Sequence, residues 1–128
     1  MKKDTLIFVA DDDRIILTAI TRYLHKKGFT NIKSFTNKQD SLLSLVQEQP
    51  QLCIIDYLLG EENGWELCKE IQHIVPTATM VLLSGQDDVR LTFQFIREGL
   101  RHYIAKDETM FDTLDEILQQ LCFYNTHN

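Results

Sequence analysis

Four short apolar runs, each ended by a polar or charged residue, restrict the fold of this chain more than any other feature of its sequence. The runs cover residues 6–10, 52–55, 80–83 and 103–105, and the residues that end them are Asp11 with Asp12, Asp56, Ser84 and Lys106. Runs that are apolar throughout are typical of strands buried on both faces of a parallel sheet. Because the carboxyl ends of parallel strands meet at one edge, the sequence predicts that these polar side chains share one crevice.

Segments with helical periodicity separate these runs. Apolar residues three or four positions apart predict five helices, with Asp13 and Asn37 as the N-caps of the first two and residues 87–98 as the fourth. The apolar positions that mark the five helices are Ile16, Ile20 and Leu24; Leu42, Leu45 and Val46; Leu67, Ile71 and Ile74; Val89, Phe93 and Ile96; and Phe111, Leu114, Leu118 and Leu121. The short run Ile32 to Phe35 adds a second strand, so strands and helices alternate along the chain.

Five successive βα units predict an α/β fold, a doubly wound parallel sheet with helices on both faces. We predict the flavodoxin-like strand order 2-1-3-4-5, which places strands one and three side by side at the switch point. Asp11, Asp12 and Asp56 would then meet between the carboxyl ends of those two strands. No linker or repeat interrupts the 128 residues, so we predict a single domain over residues 1–128.

The charge of the chain narrows the classes of partner. Nineteen acidic and thirteen basic side chains give a net charge of -6, which disfavours direct binding to nucleic acid or to an anionic membrane surface. The apolar stretch Leu6 to Ala10 is too short for a signal peptide or a membrane-spanning helix. We therefore predict a cytoplasmic protein that does not act on nucleic acid or membranes directly.

The residue types in the predicted crevice suit phosphate and a hard metal ion. Asp11, Asp12 and Asp56 offer carboxylate oxygens without sulfur or imidazole ligands, a set that favours Mg²⁺ (or Mn²⁺) over zinc. Two carboxylates about 4 Å apart repel by roughly 4 kcal/mol at an effective dielectric constant near 20, so one of them should titrate upward without metal. A carboxylate at this position can also act as a nucleophile toward a phosphoryl donor.

These residues give the chain a resemblance to a known family. The acidic pair Asp11–Asp12, Asp56, Ser84 with Gly85, and Lys106 follow the strands in the order found in receiver domains of two-component response regulators, and Gly64 and Gly99 also match. The chain resembles that family along essentially its whole length. The resemblance implies that Asp56 is the phosphoacceptor, with Ser84 and Lys106 binding the phosphoryl oxygens.

The same resemblance assigns the metal ligands and the switch residues. It implies that Asp12 and Asp56 bind the metal directly, together with the backbone carbonyl of Leu58, and that Asp11 acts largely through water. Ser84 and Tyr103 would be the switch residues that respond to phosphorylation. Gly60 and Asp107 stand where many receivers have proline, so the loops at two of these strand ends are expected to differ from the family pattern.

The resemblance also implies partners and a role. The donor would be a sensor histidine kinase or a phosphotransfer protein, and the output surface would be helix 4, strand 5 and helix 5, which would bind a downstream protein target or a second copy. The chain would be a phosphoacceptor signalling domain rather than an enzyme, although it would assist its own phosphorylation and dephosphorylation. The sequence leaves the kinase, the output domain, the oligomeric state, the phosphoaspartate lifetime and the isomer of the Lys106–Asp107 bond open.

Two alternatives remain at this point. One is a docking module with the receiver fold that is not phosphorylated, against which the intact set of five sites argues. The other is a phosphatase of the haloacid-dehalogenase type, because Asp11 and Asp13 form a DxD motif. That family expects Thr or Val where Ile15 stands, and a second acidic pair at another strand end, so it is the weaker alternative.

Overall fold

The computed structural model describes residues 1–85 and 89–126 of the chain. Five strands form the main sheet: β1 (Ile7–Ala10), β2 (Ile32–Phe35), β3 (Leu52–Asp56), β4 (Thr79–Ser84) and β5 (His102–Ala105). Five helices alternate with them: α1 (Arg14–Lys26), α2 (Lys38–Leu45), α3 (Gly64–Ile74), α4 (Val89–Arg97) and α5 (Met110–Thr126). The predicted alternation of strands and helices is confirmed.

The sheet is parallel and has the order β2-β1-β3-β4-β5, which confirms the predicted flavodoxin-like topology. Strand β1 lies between β2 and β3, with Ile7 in register with Ile32 on one side and with Leu52 on the other. The last residue of β3, Asp56, is in register with Leu83 of β4. The carboxyl ends of β1, β3, β4 and β5 therefore lie along one edge.

Alternate residues of the buried strands face two separate cores, one on each side of the sheet. Phe8, Ile55 and Leu82 face the side that is covered by α2, α3 and α4. Their chain neighbours Val9 and Ile54 face the side that is covered by α1 and α5. Burial on both faces explains why these strands are apolar throughout, and it leaves the strand ends as the places where polar side chains can be accommodated.

The helix boundaries follow local sequence signals. The carboxylate of Asp13 accepts a hydrogen bond from the N–H of Ile15 at 2.9 Å, so the predicted N-cap of α1 is confirmed. Asn37 caps α2 by accepting from the N–H of Asp40 at 2.8 Å, as predicted. Gly28, with φ +98°, follows the end of α1 in a left-handed conformation that favours glycine.

Helix α4 differs from its prediction in extent and in its buried face. It spans Val89–Arg97 rather than residues 87–98, and residues 87 and 88 and the side chain of Val89 lie outside the described residues. Two of the positions that mark this helix in the sequence, Phe93 and Ile96, are 59% and 52% exposed. The buried face is formed by Phe95, with Leu91 half-buried one turn earlier, because that stripe packs against the core beside α3.

The connection from β3 to α3 contains a structure that the sequence did not predict. Leu58–Leu59 pairs with Glu62–Asn63 in a short antiparallel hairpin, and Gly60 in its turn has φ +63°. Asn63 then caps α3 by accepting from the N–H of Trp65 at 2.8 Å.

No helix within the described residues combines the length and the apolar character that a membrane crossing requires.

Candidate functional site

Three carboxylates converge at the carboxyl edge of the sheet. Asp11 directly follows β1 and is fully buried, Asp56 ends β3 and is 6% exposed, and Asp12 is exposed at the mouth of the site. One oxygen from each of the three lies within 4.8 Å of the others. The predicted convergence of Asp11, Asp12 and Asp56 is therefore what the structure shows, and it results from the adjacency of β1 and β3.

An ammonium group lies between the two buried carboxylates. Lys106 directly follows β5, and its backbone N–H donates to the carbonyl of Ser84 at 3.0 Å, which fixes the start of its side chain. The Nζ atom of Lys106 lies 2.7 Å from Oδ2 of Asp11 and 2.9 Å from Oδ2 of Asp56. Lys106 thus links the ends of β1 and β3. Without its ammonium group, the carboxylates of Asp11 and Asp56 would repel each other.

The remaining carboxylate oxygens are held by backbone donors. Oδ1 of Asp11 accepts a hydrogen bond from the N–H of Asp13 at 2.9 Å, and Oδ1 of Asp56 accepts a long one from the N–H of Leu58 at 3.4 Å. Oδ2 of Asp11 is buried and makes no hydrogen bond of good geometry within the described residues, although the Lys106 ammonium is close. This oxygen retains acceptor capacity for a further ligand.

Burial dominates the electrostatics of Asp56. It raises the pKa of Asp56 from its ordinary 3.8 to about 6; the hydrogen bond from Lys106 lowers this pKa, and the nearby charge of Asp11 raises it. The expectation that one carboxyl titrates upward is thus confirmed, with desolvation as a larger cause than repulsion. Burial opposes the charge of Lys106, but its close interactions with the carboxylates of Asp11 and Asp56 raise its pKa overall, so the ammonium stays charged at neutral pH.

The other predicted site residues lie at or near the same edge. Ser84 ends β4, is 5% exposed and pairs in register with Ala105, directly before Lys106. Tyr103 is half-buried in β5, in register with Leu82. The side chain of Leu58 is 44% exposed beside Asp56. Gln86, which the resemblance to receiver domains would place beside the phosphoryl group, lies outside the described residues.

Gly64 has a structural role at the site that its sequence position alone does not reveal. Its N–H donates to the carbonyl of Tyr57 at 2.6 Å, and a Cβ atom built at Gly64 would lie 1.8 Å from the carbonyl oxygen of Asp56. Any side chain here would displace the backbone that carries Asp56. The φ of Gly64 is not in the left-handed region. Glycine is therefore required here by the close approach to Asp56 and not by an unusual backbone conformation.

Tyr57 lies beside the site and was not among the residues predicted from the sequence. Its N–H donates to the carbonyl of Leu83 at 2.7 Å, which ties the residue after Asp56 to β4. Its ring packs on Phe95 of α4 with centroids 5.2 Å apart, and Phe95 packs on Trp65 of α3 at 5.6 Å. An aromatic residue at this strand end was the available signal, and it links the site to α4.

The carboxylates fit a hard divalent cation. They provide oxygen ligands without nitrogen or sulfur, their ligand oxygens lie close together, and the buried Oδ2 of Asp11 has unused acceptor capacity. Such a donor set suits Mg²⁺, which prefers carboxylate oxygens and keeps several water ligands. Lys106 already neutralises part of the negative charge. The site therefore combines a metal-binding side with an ammonium side around Asp56.

A family comparison agrees with this arrangement of strand ends. The family model of the response regulator receiver domain matches residues 7–119, which is most of the chain. This chain belongs to the response regulator receiver domain family. The haloacid-dehalogenase alternative is set aside, because the receiver family accounts for the strand ends and for the order of the strands in the sheet.

Individual relatives illustrate the receiver family. The chain is 30% identical over 100 residues to the C4-dicarboxylate transport transcriptional regulatory protein DctD of Rhizobium meliloti (strain 1021), a match that covers 78% of this chain and 22% of DctD. The receiver domain of this chain thus corresponds to about a fifth of that longer protein. The similarity is therefore to one part of DctD, and the functions of the whole DctD protein are not attributed to this chain.

Two solved structures share the receiver fold. A CheY-like response regulator receiver domain protein from Methanospirillum hungatei JF-1 superposes with a TM-score of 0.83 at 21% identity, over 98% of this chain and 99% of that one. A response regulator from Burkholderia pseudomallei with a phosphorylated aspartic acid and a calcium ion superposes with a TM-score of 0.76 at 22% identity, over 95% of this chain and 75% of that one. At these identities the similarity concerns the fold.

Proposed function

We propose that this receiver domain accepts a phosphoryl group on Asp56 from the phosphohistidine of a sensor histidine kinase or of a phosphotransfer protein. The observation that carries the proposal is the position of the Lys106 ammonium, 2.9 Å from Asp56 and 2.7 Å from Asp11. A lone strand-end aspartate has no such partner. An aspartate with a fixed cation on one side and two further carboxylates on the other is arranged for phosphoryl transfer.

The reaction uses Asp56 as the nucleophile. A carboxylate oxygen of Asp56 attacks the phosphorus atom, an O–P bond forms, and the P–N bond to the donor imidazole breaks with its electron pair passing to the nitrogen. With a pKa of about 6, Asp56 is mainly anionic at neutral pH and needs no separate base. Lys106 would move from the carboxylate to a phosphoryl oxygen, and the hydroxyl of Ser84 would bind another.

The acidic residues would hold Mg²⁺ (or Mn²⁺) during this step. Asp12 and Asp56 are the proposed direct ligands with the backbone carbonyl of Leu58, and Asp11 is proposed to act mainly through water. When bound, the cation supplies positive charge to the phosphoryl oxygens as transfer proceeds. The carboxylate of Asp11 is held in place because the residue is buried and because its Oδ1 accepts a hydrogen bond from the N–H of Asp13.

The proposed output surface consists of α4, β5 and α5, with Ser84 and Tyr103 as the switch residues. Phe93 and Ile96 on α4 are 59% and 52% exposed, which supports a protein-binding role for this face. Tyr57 packs on Phe95 of the same helix, so the residue that follows Asp56 is in direct contact with α4. The partner would be a downstream protein or a second copy of the chain.

The role that follows is that of a signalling domain that assists its own phosphorylation and dephosphorylation. We also propose a single domain over residues 1–128 and a location in the cytoplasm, where a kinase partner would meet it. No output domain is assigned, and direct contact with nucleic acid or membrane is not proposed. Relatives such as DctD are named as transcriptional regulators, and that activity is not transferred to this chain.

Intact-mass spectrometry after incubation with acetyl phosphate and Mg²⁺ tests the proposal. The wild type should gain the mass of one phosphoryl group, and Asp56→Asn should gain none. Asp13→Asn is the matched control, because asparagine keeps the N-cap of α1 while one negative charge is removed near the site. It should be labelled like the wild type.

An unphosphorylated docking module is the competing outcome. It predicts no added mass on the folded wild-type protein with acetyl phosphate or with a phosphorylated kinase as donor. Equal labelling of wild type and Asp56→Asn would also contradict the proposal, since it would place the phosphoryl group on another residue.

A further inference from the structure

A cavity separate from the Asp56 site lies at the opposite edge of the sheet. It has a volume of about 640 Å³ and lies between the end of α3, the start of β4 and the connection from α4 to β5. Gln72, Thr79 and Arg101 belong to these three segments and line it. Small-molecule pockets typically have volumes of roughly 300–1,000 Å³, so this cavity can hold a metabolite-sized ligand.

The cavity combines an apolar floor with polar walls. Ala78, Met80 and Leu100 line it and are 3%, 5% and 4% exposed, so they form part of the core. Side chains able to donate hydrogen bonds surround this floor: Gln72, Thr77, Thr79, Arg101, His102 and Gln120. A ligand with acceptor oxygens would therefore find hydrogen-bond donors on these walls.

The charge of the lining is positive. Among the described residues that line the cavity there is no Asp or Glu, although the chain has nineteen acidic side chains. Arg101 is exposed and forms no ion pair with any residue that the structure describes. An adjoining cavity of about 430 Å³ shares Thr77 and Thr79 and adds Lys2, so positive charge continues along the groove.

His102 lies next to Arg101 and is affected by its positive charge. Its half-buried imidazole has a lowered pKa, first because of burial and second because of the charge of Arg101. No carboxylate in the described part of the chain raises this pKa. A bound anion near Arg101 would supply the missing negative charge and stabilise protonated His102.

Trp65 lines the other wall of the cavity. Its buried Nε1–H makes no hydrogen bond of good geometry within the described residues. The acidic residue beside it is Glu98, whose pKa is lowered mainly by its hydrogen bond from Lys69 at 3.3 Å and to a smaller extent by Trp65. Glu98 does not line the cavity, and its ion pair is with Lys69 at 3.3 Å.

We propose that this cavity is a binding site for a small dianion that carries carboxylate or phosphate oxygens. Arg101 would bind one anionic group through two parallel N–H donors. His102 would contact the remaining acceptor oxygens together with the second amide N–H of Gln72, whose Nε2 already donates one hydrogen bond to the carbonyl of Ala78 at 3.4 Å. The apolar floor of Ala78, Met80 and Leu100 would contact the carbon or linking atoms of the ligand. This site is independent of phosphorylation at Asp56.

A titration followed by two-dimensional ¹H–¹⁵N NMR tests the site. Inorganic pyrophosphate and succinate represent the two sources of anionic oxygens, and each is added to the full chain in EDTA at constant ionic strength. Without metal, the three carboxylates repel anions from the Asp56 site. Saturable shifts at Arg101, His102 and Gln72 with at least one probe are expected, and the stronger probe identifies the phosphate or carboxylate class.

Variants supply the decisive comparison. Arg101→Gln should weaken binding of the responding probe at least about tenfold, because it removes a charge-assisted pair of hydrogen bonds. Arg22→Gln is the matched control: Arg22 is an exposed arginine of α1 outside the groove, and its loss should leave the affinity unchanged. Equal weakening by both variants, or no saturable shift at Arg101 and His102 with either probe, overturns the proposal.

Discussion

The Nζ atom of Lys106 lies 2.9 Å from Oδ2 of Asp56, a contact that joins residues fifty positions apart in the chain. The ammonium reaches the carboxylate because β3 and β5 flank β4 and all three strands end at the same edge. The contact neutralises Asp56 in the unmodified protein and places a cation where phosphoryl oxygens would require one.

Replacement of Lys106 by glutamine should raise the pKa of Asp56 above its value of about 6. The hydrogen bond and the charge of Lys106 both lower this pKa, so their loss favours the protonated acid. Phosphorylation by acetyl phosphate should slow by about 100-fold, the size expected for one donor to developing negative charge. Carbon-detected NMR of the carboxyl group measures the first effect, and time-resolved mass spectrometry measures the second.

Lys33→Gln is the matched control for Lys106→Gln. Lys33 also pairs with a carboxylate, Glu48, at 2.6 Å, but both side chains are about two-fifths exposed and lie away from the site. Neither the pKa of Asp56 nor the rate of phosphorylation should respond to its loss. An unchanged Asp56 pKa in Lys106→Gln would contradict the assigned electrostatics.

Asp56→Asn should stabilise the metal-free protein at neutral pH. The folded state raises the pKa of Asp56 from 3.8 to about 6, so between these values the folded protein binds more protons than the unfolded chain and the free energy of unfolding falls as pH rises. Asparagine resembles the protonated acid and does not titrate. Its advantage should be near zero at pH 4, grow to about 1 to 2 kcal/mol at pH 6.5, and stay constant above that.

Urea unfolding in EDTA at pH 4, 5, 6.5 and 7.5 measures this difference. Asp4→Asn, at an exposed aspartate, should follow the wild type across the whole series. A stabilisation by Asp56→Asn that is the same at pH 4 and pH 7.5 would show that its cause is packing rather than titration.

The sequence predicted the strand ends well because a buried parallel strand leaves a distinct pattern. The runs before Asp11 and Asp56 are apolar on both faces, and only the end of such a strand tolerates a carboxylate. The order of strands then follows from the fold class. Convergence of Asp11, Asp12, Asp56 and Lys106 could thus be predicted without coordinates, whereas the position of the ammonium between Asp11 and Asp56 could not.

Features that depend on packing between elements were not predictable from periodicity. In α4, both Phe93 with Ile96 and Leu91 with Phe95 have helical spacing, and only contact of Phe95 with Tyr57 and Trp65 selects the buried stripe. The hairpin around Gly60 has strands of two residues each, too short to give an alternating pattern. These features depend on tertiary contacts rather than on local sequence.

Magnesium should stabilise the wild type, because a ligand that binds only the folded state adds about 2.7 kcal/mol at one hundred times its dissociation constant. The effect should require Asp12, whose exposed carboxylate lies at the mouth of the site. Asp12→Asn should weaken Mg²⁺ binding at least about tenfold, since magnesium sites rely on one or two carboxylates. Thermal unfolding with increasing Mg²⁺ measures both proteins.

Asp13→Asn separates metal ligation from general electrostatics. It removes the same charge one residue further on, and the asparagine preserves the cap of α1. Its Mg²⁺ response should match that of the wild type. If Asp12→Asn and Asp13→Asn reduce the response equally, the effect of the acidic residues is one of net charge and the ligand assignment of Asp12 is wrong.

Gly64→Ala should disrupt the site although it adds only one methyl group. The new Cβ would lie 1.8 Å from the carbonyl oxygen of Asp56, so either the β3 end or α3 must shift. Overpacking of this kind costs about 1 to 3 kcal/mol, and backbone displacement at Asp56 should also lower the phosphorylation rate. Gly85→Ala is the matched control, because a Cβ there meets no atom of the described residues within 4 Å and its φ is not left-handed. Urea unfolding and labelling by acetyl phosphate should both be impaired in Gly64→Ala, whereas unfolding of Gly85→Ala should match the wild type. Wild-type stability in Gly64→Ala would show that the close approach to Asp56 is not a constraint on the fold.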